Sequence, residues 1–156
     1  QVEHPVTEEV TGVDLVMEQI RLAAGETPTL PDEPVMKGHA IELRINAEDP
    51  DTYVPWPGKI TGYHPAGGPG IRIDDGVFAG WTVPRVYDSL IAKLIAFGPT
   101  RDIAIRRLRR AVDETIIDGI RTNLPLHRRI LQDPDFVSGN LSTKFLERLA
   151  ERRATG

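Results

Sequence analysis

The run YDSLIAKLIAFG at residues 87–98 carries apolar side chains on both sides of an extended chain. A half-exposed strand alternates apolar and polar residues, whereas a strand covered on both faces does not. The run therefore predicts a buried central strand, with other strands along its edges. Lys93 is the charged exception and requires a partner or a wet edge.

A second strand, GHAIELRINAEDP, does alternate. His39, Ile41, Leu43, Ile45 and Ala47 share one side, and Glu42, Arg44 and Asn46 the other. The segment YVPWPGKITGYHPAGGPGIRIDDG holds short extended pieces at residues 60–64 and 71–74, broken by turn residues, and predicts an antiparallel meander.

Helical grammar lies on either side. TGVDLVMEQIRLAAG predicts a helix over residues 13–24, with Thr11 and Asp14 spaced as a capping box and Gly25 as its stop. ETPTLPDEPVMKG contains three prolines and reads as a connector. Thr100 is placed to cap TRDIAIRRLRRAVDET, whose stripe is Ala104, Ile105, Leu108, Ala111 and Val112. Asp118-Gly119 marks a turn, Pro125 suits the first turn of a short helix through Leu131, and residues 142–153 form an amphipathic segment with Phe145, Leu146 and Leu149. The expected fold class is α+β, an antiparallel sheet flanked by helices, with residues 1–156 as one domain.

Composition removes several functions. Hydrophobic residues at 40% and charged residues at 27% suit a globular domain. With no Cys, disulfides, thiolate nucleophiles and zinc–thiolate sites are excluded; this fits a cytoplasmic setting. No apolar run approaches the ~20 residues that span a bilayer, so no membrane partner is expected. The net charge of −4 disfavours nucleic acid. Arg106, Arg107, Arg109 and Arg110 lie opposite the apolar stripe of their helix, where solvated charge is the usual explanation. AGGPG lacks the Lys-Ser/Thr pair of a phosphate loop and is followed by extended sequence, so it reads as a turn.

Two places could handle an anion. In QVEHP, Pro5 biases His4 toward extended backbone, and continuing that conformation puts Gln1 and Glu3 on one side. An amide beside a carboxylate can hold a small oxygenated anion and take its proton; a solvated chain end would present the same residues. His4 has no second His or Cys nearby and reads as a structural hydrogen-bonding residue, so no metal ligand set is expected. In the strand, Arg44 between Glu42 and Asn46 is either an oxyanion clamp or part of an exposed polar face. Residue types and spacing leave both choices open.

The ordered segments QVEHPVTEEVTGVDLV, GHAIELRINAEDP, PGKITGYHPAGGPGIRID, TVPRVYDSLIAKLI and DGIRTNLPLHRRIL resemble the carboxyl-terminal domain of biotin carboxylase, the ATP-grasp component of biotin-dependent carboxylases. The resemblance implies that Glu3 is the base that deprotonates bicarbonate for attack on MgATP, giving carboxyphosphate. It implies that the Gln1 side chain and the Val2 backbone contact bicarbonate, and that Arg44 stabilises the enolate of biotin as its ureido nitrogen takes up CO2. Arg72, Tyr87 and Asp88 become supporting or interface positions. Biotin on a carboxyl carrier protein or domain is the implied substrate, MgATP is held mainly by upstream domains outside these residues, and a carboxyltransferase and a homodimer are implied partners. The same resemblance predicts that this chain alone is inactive. It leaves open acetyl-CoA carboxylase, with its place in fatty acid biosynthesis, against the propionyl-CoA and pyruvate enzymes. A non-catalytic scaffold or dimerisation module is the alternative.

Overall fold

The computed structural model describes residues 3–155; Gln1 and Val2 lie outside the described residues. The expected central strand is present as β6 (Leu90–Gly98). It lies between β1 (His39–Asn46) and β4 (Ile71–Asp75), antiparallel to both, in a three-stranded sheet. Leu94, Ile95 and Ala96 are fully buried, because one face of β6 lies under a helix and the other under the start of the chain.

That helix is α3 (Arg101–Glu114). The Thr100 hydroxyl accepts the Ile103 N–H at its amino end, and its buried residues are Ala104, Ile105, Leu108, Ala111 and Val112, the stripe expected from the sequence. Leu108, Ala111 and Val112 join Leu43, Ile45, Ala92, Leu94 and Leu131 in the main core. The arginines of α3 are engaged locally. Arg106 pairs with Asp102, Arg107 donates to the Phe97 carbonyl, Arg109 to the Leu131 carbonyl, and Arg110 to Glu114 and the Gly67 carbonyl. Arg107 thus fastens the helix to the sheet, Arg110 to the loop at Gly67 and Arg109 to the segment at Leu131, while the Arg106 pair stays within α3.

The start of the chain departs from expectation. Residues 4–11 are helical, forming α1 (His4–Thr11), and His4 is not extended. Pro5 sits in the first turn, where its missing N–H leaves no helical hydrogen bond unmade, and it is buried. Gly12, at φ 73°, ends the helix by donating its N–H to the Glu8 carbonyl. The capping box does not form, since Thr11 closes α1 with its hydroxyl bonded to the Thr7 carbonyl. Asp14 alone caps α2 (Leu15–Ala23), accepting the Met17 N–H at 2.8 Å.

The meander also fails. The remaining strands are β2 (Gly58–Lys59), β3 (Gly62–His64), β5 (Thr82–Val83) and β7 (Ile116–Asp118). β2 pairs with β5 and β3 with β7, while β4 joins the main sheet, so sequence neighbours are not sheet neighbours. Pieces this short carry too little alternation to choose a partner, and the turns between them decide. Gly70 is one such turn: φ is 69°, and a Cβ there would meet the Arg107 guanidinium at 2.2 Å and the Phe97 carbonyl at 2.6 Å. The chain ends in α4 (Leu124–Gln132), α5 (Pro134–Ser138) and α6 (Phe145–Thr155). Among the described residues no helix is long and apolar enough to cross a membrane.

Candidate active-site wall

The strand registers place charged side chains in rows across one face of the sheet. Arg44 on β1 stands opposite Lys93 on β6, which stands opposite Asp74 on β4. One step along, Glu42, Ile95 and Arg72 form the next row. Residues paired across strands point to the same side, so Glu42, Arg44, Lys93, Asp74 and Arg72 share a face. Lys93, the exception in the apolar run, lies between a cation and a carboxylate and is half-buried.

Helix α1 crosses this face. Arg72 donates to Glu8 of α1 at 2.7 Å and to Asp74 at 2.7 Å, and Glu9 lies 3.8 Å away. These carboxylates hold the guanidinium protonated well above the ordinary arginine range, Asp74 contributing most. The helix is thereby fixed with Glu3 at its amino end, next to the Glu42–Arg44 edge of the sheet.

Glu42 records the convergence. Burial pushes its carboxyl pKa up; Lys93 acts against that, Glu3 adds to it, and His4 and Arg44 oppose it. One half-buried carboxylate thus feels Glu3 and His4 from α1 and Arg44 and Lys93 from the sheet. Sequence spacing presented Glu42 as a neighbour of Arg44 and did not single it out as this junction, because the approach of α1 was not legible. One of its carboxylate oxygens is buried without a hydrogen bond. Glu3 itself is exposed and lines a pocket of about 480 Å³ with His4, Thr7, Leu15, Val16 and Gln19.

Asn46 does not flank the Arg44 guanidinium as an orienting amide. Its Nδ2 donates to Glu48 at 2.9 Å and to Ser89 at 3.2 Å. Arg44 is held through its backbone: its carbonyl oxygen accepts from Asn123 Nδ2 at 3.0 Å and from His127 Nε2 at 2.9 Å. The side chain is exposed. Tyr87 and Asp88 are exposed too, and they line a groove of about 330 Å³ with Asp74, Lys93 and Trp81. The Asp88 carboxylate accepts the Leu90 N–H at 2.8 Å and starts β6. Arg72, Tyr87 and Asp88 therefore border the same charged face, Arg72 from beneath α1 and the other two from the groove. Among the described residues no group of three or more His, Asp or Glu is arranged to hold a metal ion.

This antiparallel sheet, with α3 on one side and α1 on the other, is matched by solved biotin carboxylase structures. The biotin carboxylase subunit of pyruvate carboxylase superposes with a TM-score of 0.93 at 46% identity, over 97% of this chain and 34% of that one. The biotin carboxylase domain dimer of Hydrogenobacter thermophilus 2-oxoglutarate carboxylase, in complex with MgADP and bicarbonate, gives 0.92 at 45% identity, over 95% of this chain and 33% of that one. The chain belongs to the biotin carboxylase C-terminal domain family, which it matches over residues 42–148. Residues 1–30 match the ATP-binding domain of the carbamoyl-phosphate synthase L chain. Biotin carboxylase of Haemophilus influenzae is 56% identical over 149 residues, 95% of this chain and 33% of that protein. A pyruvate carboxylase subunit of Methanothermobacter thermautotrophicus is 50% identical over 149 residues, 94% of this chain and 30% of that protein. The chain spans about a third of the length of the curated relatives it matches.

Proposed function

We propose that this chain forms one wall of the active site of a biotin carboxylase, which uses ATP and bicarbonate to carboxylate biotin on a carrier protein. The observation that supports the reading is that Arg44 and Glu42 share one face of the sheet, while Glu3, at the amino end of the helix that crosses this face, is among the charges acting on Glu42. The chemistry needs a base for bicarbonate and a fixed cation for an oxyanion, and these two side chains are of those kinds. Glu3 takes the proton of bicarbonate, making it a nucleophile for the terminal phosphate of ATP. The Gln1 side chain and the Val2 backbone hold the same anion. The carboxyphosphate formed as ADP leaves breaks down to CO2 and phosphate; the ureido N–H of biotin gives its proton to that phosphate, and Arg44 meets the negative charge that develops on the ureido oxygen as the nitrogen attacks the CO2. Lys93 adds positive potential beside Arg44, and Arg72 holds the helix that carries Glu3. Tyr87 and Asp88 border the approach.

Phosphoryl transfer depends on metal and positioning. The nucleotide and its magnesium belong in this reading to residues outside the chain, and the chain alone is inactive. Biotin arrives on a carboxyl carrier protein or domain, and a carboxyltransferase consumes the product. A homodimer is part of the proposal, supported by the dimer described for the H. thermophilus relative. A cytoplasmic setting fits the bacterial relatives, and acetyl-CoA carboxylase in fatty acid biosynthesis is one place for such a wall.

The test uses a full-length biotin carboxylase carrying this segment. Glu3→Gln lowers bicarbonate-dependent ATP turnover by about 10²–10⁴-fold, and Arg44→Ala lowers biotin carboxylation by about 10²–10³-fold, with melting temperature preserved. Unchanged turnover in both variants overturns the reading. It would favour a scaffold or dimerisation module, which sedimentation of the chain then examines directly.

A further inference from the structure

We infer that Asn123 and His127, on the α4 side of the sheet, are positioning residues for Arg44, holding its peptide carbonyl so that the guanidinium is presented to biotin at a fixed place. The inference rests on the role given to Arg44 above. Asn123 occupies the N-cap position of α4, where an Asn side chain ordinarily accepts a helix N–H, yet it makes no capping bond. Its amide is turned to the sheet. Nδ2 donates to the Arg44 carbonyl at 3.0 Å, Oδ1 accepts the Asn46 N–H at 2.9 Å, and its own backbone N–H donates to the Asn46 carbonyl at 3.1 Å. The side chain thus behaves as a neighbouring peptide along the outer edge of β1.

The clamp falls where the ladder is weakest. Pairing between β1 and β6 is regular through Ile45 and then shifts between Ile45 and Asn46. A bulge bends and twists the strand that holds it, so Arg44, one residue before Ile45 where the shift begins, gains from support on the other side. His127 gives it, with Nε2 donating to the same carbonyl at 2.9 Å. Both residues are buried, at 7% and 8% exposure, so water does not compete for these bonds. The Nδ1 atom of His127 is buried with no hydrogen-bond partner, which leaves the bond to Arg44 as the polar contact the ring makes among those described. A side chain that reaches into a site from a strand is only as well placed as its backbone, and misplacement of about 1 Å can lower a rate by about 10²-fold.

The experiment measures, in full-length biotin carboxylase carrying this segment, the ratio of biotin carboxylation to ATP turnover without biotin, together with melting temperature. His127→Leu fills the space without a donor and is expected to lower that ratio by about tenfold or more, mainly in kcat. His127→Gln, whose Nε2 donates from a similar position, restores it to within about threefold. Asn123→Asp keeps the acceptor for Asn46 but sets an oxygen against the Arg44 carbonyl, and it lowers the ratio likewise. If His127→Leu does not fold, Asn123→Asp decides. If both rates fall together in step with melting temperature, if no variant moves the ratio, or if neither variant folds, the two residues serve folding alone and the inference is overturned. Loss of the ratio in Arg44→Ala with no change in the clamp variants overturns the clamp and leaves the proposed function standing; no loss in Arg44→Ala overturns the function first.

Discussion

Arg72 and Glu8, one on a strand and one on the first helix, are joined by a 2.7 Å ion pair, and the other Glu8 oxygen accepts the Leu15 N–H at 2.9 Å. One carboxylate therefore fixes α1 to the sheet and to the start of α2 together. Since Glu3 stands at the amino end of α1, its position depends on a bond made about one and a half helical turns away.

Arg72→Ala leaves Glu8, whose side chain is 11% exposed, without its cation. The expected destabilisation is about 1–2 kcal/mol, above the usual value for an exposed pair because the carboxylate left behind is largely buried. Thermal unfolding of wild type and variant checks it. A change no larger than that of a surface Arg→Ala control would show that α1 is held by packing of Pro5 and its neighbours instead.

Arg44→Lys keeps the charge but replaces a planar fork of donors with a point charge on a flexible stem. Biotin carboxylation by the full-length enzyme is expected to fall by about tenfold or more, since oxyanion stabilisation depends on fixed donors. Steady-state kinetics with free biotin reads this. Equal rates for Lys and Arg would mean that charge alone is used at this position.

Stability should decline as pH drops below 6.5, the ordinary value for His127, whose own pKa is held lower by burial. In the window between the folded and ordinary values the unfolded chain binds a proton that the folded chain refuses, so unfolding gains; below the folded value the effect is constant. His39 acts in the same sense through burial and the nearby Arg101. A second decline belongs to Asp49, lowered to about 2 by the N–H groups of Thr52 and Asp51 and by Arg121, its stability contribution being lost as pH falls from 3.8 toward that value. Melting temperature against pH tests both, with His127→Gln flattening the upper window.

Leu94→Ala removes a fully buried side chain from the middle of the central strand. A loss of about 3–5 kcal/mol is expected from transfer and cavity terms together. Denaturant unfolding at constant slope checks it. A loss under about 1 kcal/mol would mean that the α3 face closes over the gap.

The central strand and the stripe of α3 were legible because apolar periodicity is a local signal. The Arg44 face of β1 was legible for the same reason. Helix α1 was not: HPVTEEVT mixes a proline with polar and β-branched residues, and local bias at His4 points away from the helix that tertiary packing of Pro5 supports. Without that helix, the effect of Glu3 on Glu42 stays hidden, although both lie within segments that the family resemblance marks. The grip on Arg44 comes from residues 79 and 83 positions away, a distance over which spacing carries no information. An Asn at a helix start commonly caps that helix, so nothing local marks the turn of the Asn123 amide toward the sheet.

The amide of Asn123 has one more effect. β1 is an outer strand, and such a margin offers unpaired N–H and carbonyl groups to any extended peptide that comes near. With the Arg44 carbonyl and the Asn46 N–H already occupied, this stretch of the margin cannot template the addition of another chain, and the sheet stays three strands wide on that side.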